Sequence, residues 1–145
     1  MNFDELWAFA GRNPILSLGF GAVTVAIIGT EVASLFRGYA GLSPSGLTAL
    51  MNLENALVVD LRPVADYQRG HIAGSKNVQM GQFDPESKQL APAKALPIVL
   101  VCQNGISVSA AAKRLKKAGF ERVHVLEGGI SAWQQADLPL VKGRD

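Results

Sequence analysis

The chain has 145 residues, 48% of them hydrophobic, enough for one compact domain with a further segment beside it. A formal net charge of +2 argues against nucleic acid as a partner: from Gly38 onward 12 Lys and Arg accompany 9 Asp and Glu, scattered over many elements rather than set in a basic stripe. A lone cysteine excludes an internal disulfide and suits a reducing compartment.

In chain order, the first feature is apolar. Residues 14–30 carry no charge, and the run from Ile15 to Ile28 is apolar on every face, where a soluble surface helix would keep a polar stripe. Counted on to Phe36 the segment has about 23 residues, against the roughly 20 that cross a hydrocarbon core, and Glu31 lies close enough to Arg37 to reach the interface. We read residues 1–37 as an N-terminal tail and a single transmembrane helix over about 14–36. Two alternatives compete. A cleaved signal peptide would open basic and close on an Ala-x-Ala site, yet Asp4 and Glu5 precede Arg12 and no clear site follows. A buried helix of a soluble protein is compatible with an uncharged stretch of only 17 residues containing Gly19, Gly21 and Gly29. Gly29 and Ala33, like Ala22 and Ala26, have a small-xxx-small spacing that permits close helix pairing without requiring it.

Residues 38–145 read as an alternating α/β domain with a parallel sheet flanked by helices. Ser43-Pro44 opens a helix with Leu47, Leu50 and Met51 on its apolar face. Ala56 to Asp60 is a short buried strand, and further strands are predicted at Lys76 to Val78, Ile98 to Val101 and Val123 to Leu126. Helices fall near Val64 to Arg69, Ser107 to Ala118 and Ile130 to Ala136; Met80 to Pro97 is loop with one weak helix at most.

Cys102 stands where the strand Ile98 to Val101 gives way to Gln103-Asn104-Gly105-Ile106-Ser107 and then to a helix. Such a helix aims its free N–H groups and the positive end of its dipole into the loop, stabilising a thiolate and any anionic sulfur on it. Ser107 is positioned to cap that helix, Lys113, Arg114, Lys116 and Lys117 load its far end, and Gly119 closes it. The competing reading is an inert buried thiol.

Asp60-Leu61-Arg62, Asp66-Tyr67, Gly70-His71-Ile72-Ala73-Gly74-Ser75 with Asn77, Cys102 with Gly105 and Ser107, and Leu126-Glu127-Gly128-Gly129 followed by Ala132-Trp133 together resemble the rhodanese sulfurtransferase domain, over roughly residues 38–142. With the apolar segment ahead of it, the chain is similar to the membrane-anchored, single-domain bacterial members. The resemblance implies a sulfurtransferase that carries sulfane sulfur as a persulfide on Cys102, within a loop whose backbone N–H groups point at the terminal sulfur. It implies ping-pong transfer from a persulfide or thiosulfate donor to a thiol or other nucleophile, small or protein-borne, with no metal or organic cofactor. Gln103, Asn104, Gly105, Ile106 and Ser107 then line the substrate, and Arg62 either adds positive potential near Cys102 or pairs with a nearby carboxylate. His71, Trp133 and the Gly128-Gly129 turn read as scaffold, and His124 carries no site signal.

Two departures qualify this. Thiosulfate-using members often carry a basic residue in the loop, whereas Gln103, Asn104, Ile106 and Ser107 are uncharged, which disfavours a dianionic donor over a neutral persulfide. Related phosphatases need an Arg six positions after the cysteine, and residue 108 is Val. The alternative function is a catalytically idle module that tethers a protein partner at the membrane. Arg12 and Arg37 flank the span and leave orientation undecided; the lone thiol favours an inner-membrane protein, single-pass, with its domain in the cytoplasm and a short tail outside.

Overall fold

The structure, a computed structural model, describes residues 2–144, which divide into two compact units, the first ending at Arg37 and the second starting at Gly38. The first unit holds two helices, α1 (Phe3–Arg12) and α2 (Pro14–Leu35), with Asn13 between them. The α1 helix was not expected in the short tail. Asp4 and Glu5 in its first turn and Arg12 in its last complement the helix dipole, and the Glu5 carboxylate accepts from the Asn2 N–H at 3.2 Å. Pro14 starts α2 at a position where a missing N–H costs nothing. Neither helix buries a residue within its own unit. The hydroxyls of α2 turn inward on its own backbone: Thr24 donates to Phe20 O at 2.8 Å, Thr30 to Ile27 O at 2.8 Å and Ser34 to Glu31 O at 2.7 Å.

In the second unit the elements run β1 (Ala40–Leu42), α3 (Pro44–Glu54), β2 (Leu57–Asp60), α4 (Val64–Arg69), β3 (Lys76–Asn77), β4 (Ile98–Val101), α5 (Val108–Lys117), β5 (Val123–Leu126) and α6 (Gly129–Gln135). Short 3-10 turns at Met80–Gln82 and Ala91–Ala93 punctuate the long loop. The sheet has the order β1-β5-β4-β2-β3 with every pair parallel. Because β4 is covered on both faces, its four residues are all fully buried, and this explains why it is apolar without alternation. Ile98 and Leu100 pack with Ala111, Leu115 and Phe120 beneath α5, while Val99 and Val101 meet Leu47, Ile130 and Trp133 from α3 and α6.

Local signals set the helix ends. Ser43 Oγ accepts from Gly46 N at 3.1 Å and so caps α3. At the end of α5, Gly119 N reaches Lys116 O at 3.2 Å and Phe120 N reaches Leu115 O at 3.1 Å, a Schellman closure that also buries Phe120. Ser107 corrects the expectation: it occupies the cap position of α5, yet its side chain makes no cap bond. Its backbone, at φ −81 and ψ −3, is already helical rather than extended, which turns the hydroxyl away from the first-turn donors.

Candidate active site

The parallel register builds the site. Asp60 lies opposite Val101, so two residues further along their strands Arg62 and Gln103 emerge side by side at the C-terminal edge of the sheet, where α/β folds place their ligands. The alternation of β4 carries Cys102 to the same face as Ile98 and Leu100, in the core cluster beneath α5, and leaves it 3% exposed.

Arg62 is fixed from below. Its guanidinium forms a fork with Asp60, Nε to Oδ1 at 3.0 Å and Nη2 to Oδ2 at 2.7 Å, and Nη2 also donates to Gly70 O at 2.7 Å. Asn77 braces the strand ends by donating to Asp60 O and Arg62 O. Of the two roles open to Arg62, the pairing with a carboxylate is the one observed. The residue is 6% exposed and meets the loop through Nη1, 3.5 Å from Gln103 Oε1.

From above, the loop is held by the start of α6. Ile130 N donates to Cys102 O at 2.9 Å, Ser131 N to Gln103 O at 3.1 Å and Ser131 Oγ to the same carbonyl at 2.9 Å, while Gln103 Nε2 reaches Ser131 Oγ at 3.3 Å. This approach depends on Gly129: at φ +59, a Cβ there would sit 2.3 Å from Cys102 O and 2.8 Å from Asn104 N. Ser131 went unnoticed in the sequence, since nothing local links it to a loop 28 residues away.

Cys102 and Gln103 are therefore anchored, whereas Asn104 and Ile106 are exposed, Ile106 by 76%. The chain turns back at Gly105, whose φ of +80 lets its N–H donate to Cys102 Sγ at 2.8 Å. A sulfur atom so placed receives a backbone dipole suited to a thiolate or persulfide anion. Beside the loop an open pocket of about 150 Å³ is lined by Arg62, Arg69, Gly70, Gln103 and Gln134 among others.

His71 is fully buried as scaffold: its ring stacks on Tyr67 at 3.8 Å, and Nδ1 lies 2.9 Å from Tyr67 O, which only accepts and so fixes the proton on Nδ1. Trp133 donates to Pro139 O at 3.0 Å from within the core. His124 lies on β5, away from the loop; burial pushes its imidazole below the usual range, and the Arg122 cation adds to this. Arg122 in turn pairs with Glu54 and holds that carboxyl below its ordinary value. Among the described residues no cluster of His, Cys, Asp and Glu could hold a metal.

Residues 43–136 match the Rhodanese-like domain family. The Escherichia coli protein YibN, itself uncharacterized, is 38% identical over 142 residues, covering 97% of this chain and 99% of that protein. The thiosulfate sulfurtransferase GlpE of Pseudoalteromonas translucida is 35% identical over 92 residues, covering 60% of this chain and 81% of that enzyme. Among solved structures, a rhodanese-related protein from Thermoplasma volcanium superposes with a TM-score of 0.62 at 25% identity, over 72% of this chain and 100% of its own.

Proposed function

This chain belongs to the rhodanese-like domain family, and from that premise we propose that it is a membrane-anchored sulfurtransferase carrying sulfane sulfur as a persulfide on Cys102. One observation carries the reading: Cys102 Sγ receives the Gly105 N–H inside a loop whose tip is open to solvent. In the first half-reaction the Cys102 thiolate attacks the sulfane sulfur of a donor. A new S–S bond forms, the donor's bond to that sulfur breaks, and the leaving group departs with the electron pair, as sulfite from thiosulfate or a thiolate from a persulfide. In the second, an acceptor thiolate attacks the outer sulfur and the Cys102 thiolate leaves. The loop binds and orients this sulfur, and its backbone dipole stabilises the negative charge.

Donor choice follows from charge. With Asp60 matching Arg62 and no cation in the loop itself, thiosulfate meets little net positive potential, and a persulfide is the better donor. The α2 helix, about 33 Å long with its hydroxyls satisfied internally, anchors the protein in a single pass, and the domain faces the cytoplasm, where thiols stay reduced. An impermeant thiol reagent should label Cys102 only after cells are permeabilised; ready labelling of intact cells reverses the orientation.

The reaction is tested by intact mass. Incubation of the folded protein with a persulfide donor should add one sulfur that cyanide or a small thiol removes, thiosulfate should load it less well, and Cys102→Ser should stay unmodified. If no donor modifies the folded protein, the enzyme reading fails and the membrane-tethered adaptor remains.

A further inference from the structure

The N-terminal helix α1 is sorted into two faces. At 100° per residue Phe3, Leu6, Trp7, Phe9 and Ala10 fall on one side, and Asp4, Glu5, Gly11 and Arg12 on the other. The four large apolar side chains are all exposed, Trp7 by 69%. A face of this kind requires a cover, and the connection to α2 says what that cover is.

Only Asn13 separates the two helices, and side chains of the elbow bond part of its backbone. Phe9 O accepts both the backbone N–H and the side-chain Nδ2 of Asn13, each at 3.1 Å. The Ser17 hydroxyl lies 3.2 Å from Ala10 O and 3.0 Å from Asn13 O. The last carbonyls of a helix lack intrahelical partners; here side chains reach those of Phe9 and Ala10, which lowers the cost of setting this end at the edge of a hydrocarbon phase.

We propose that α1 lies in the membrane–water interface, its apolar face in the lipid and its charged face toward water, as an interfacial helix continuous with the span. The proposal rests on the reading of α2 as that span. With one residue between them, α1 begins at the depth where α2 leaves the hydrocarbon, and Trp7, apolar in its ring and polar at its N–H, suits that depth. The charged face carries two carboxylates against one guanidinium, so apolar burial holds α1 in place and anionic lipid adds nothing.

The test uses the full chain carrying Cys102→Ser, with single cysteines introduced as Leu6→Cys, Ala8→Cys, Phe9→Cys or Ala22→Cys. Each is nitroxide-labelled and reconstituted in phosphatidylcholine vesicles with or without phosphatidylglycerol. Collision rates with oxygen, which concentrates in lipid, and with a water-soluble nickel chelate report the surroundings of each label. The expected result is lipid-type accessibility at 6 and 9, several-fold above that at 8 in the oxygen-to-nickel ratio, with 22 deepest and no dependence on phosphatidylglycerol. Water-type accessibility at 6, 8 and 9 with 22 still deep overturns the interfacial helix and leaves the span. Water-type accessibility at 22 overturns the span itself. Low accessibility to both reagents at 6 and 9 overturns the proposal in favour of a protein, or a second copy of this chain, on that face. A requirement for phosphatidylglycerol overturns its non-electrostatic basis.

Discussion

Helix α2 and strand β4 are the two most apolar runs in the chain, and they solve opposite problems. In α2, Ile15, Phe20, Val25 and Ile27 are all exposed, whereas Ile98, Val99, Leu100 and Val101 of β4 are wholly buried. The decisive difference lies in the polar atoms. The backbone groups of α2 pair within the helix and its hydroxyls bond carbonyls of the preceding turn, so it is complete in a medium that offers no hydrogen bonds. The backbone of β4 is satisfied only by β2 and β5 on either side. Similar hydrophobicity thus accompanies two kinds of pairing: α2 bonds within itself, as any helix does, whereas β4 is complete only with its neighbours.

Deleting residues 1–37 is the most drastic way to break this comparison. The full chain should sediment with membranes and need detergent, whereas the remainder should be entirely soluble, with unchanged sulfur loading and a cooperative thermal transition. Aggregation with loss of helical circular dichroism would place α2 among the domain's own packing elements.

Paired glycine substitutions sharpen it. Gly129→Ala drives a Cβ into the carbonyl of Cys102 at a positive φ, and should cost about 2–5 kcal/mol of unfolding free energy along with most sulfur loading. Gly21→Ala in α2 meets nothing within 4 Å and should leave membrane insertion intact, favouring the helix by up to about 1 kcal/mol. Chemical denaturation measures the first and alkaline extraction the second. Equal tolerance at both positions would mean that the loop is not held against α6 as described.

Ile106 stands between the extremes, an exposed apolar residue on a folded domain. The contacts of Gln103 with Arg62 and Ser131 make that position a poor place for a new cation, because it would face the guanidinium; the tip is free of this conflict. Ile106→Lys should therefore raise thiosulfate turnover roughly fivefold, equivalent to about 1 kcal/mol of added attraction for a dianion, with a smaller gain for a persulfide, which carries at most one charge. Steady-state kinetics with both donors decide this, and an equal gain for both refutes the charge argument.

The smallest effect concerns pH. Burial lowers the His124 pKa below the usual 6.5, so the unfolded chain binds this proton more readily than the folded one. Stability is then full above about pH 6.5 and declines as pH falls from there toward the folded value, a small effect for a half-buried ring whose charge is screened by solvent. The exposed Glu54–Arg122 pair weakens only at lower pH, as Glu54 is protonated. In His124→Gln the first decline should vanish from melting curves recorded between pH 7.5 and 5.5; its persistence would assign it to another group.

What could be read in the sequence follows from the range of each interaction. Ile98 to Val101 and Val123 to Leu126 are strands with the bounds their apolar runs suggest, and Val64–Arg69 is the helix expected. Ala40-Gly41-Leu42 was not read as a strand, because it has almost no β propensity and pairs only because β5 offers an open edge. The amphipathic pattern of α1 is present in Phe3, Leu6, Trp7 and Ala10, but the longer apolar run beside it drew the reading toward α2. At the site, the Cys102–Ser107 loop announces itself by its turn residues, whereas its attachment through Arg62 and Ser131 joins residues 41 and 28 positions apart and leaves no local trace.

The pairing of β1 with β5 sets an order of assembly on the ribosome. Ala40 lies opposite His124, so the strand just after the N-terminal unit has no partner until some 84 further residues have been made, and that closure is the longest in the sheet. Helix α2, which needs no later residue to complete its bonding, is finished almost as soon as it emerges. Synthesis thus commits the N-terminal segment to its surroundings first, and the sheet is sealed last, by the two strands furthest apart in time.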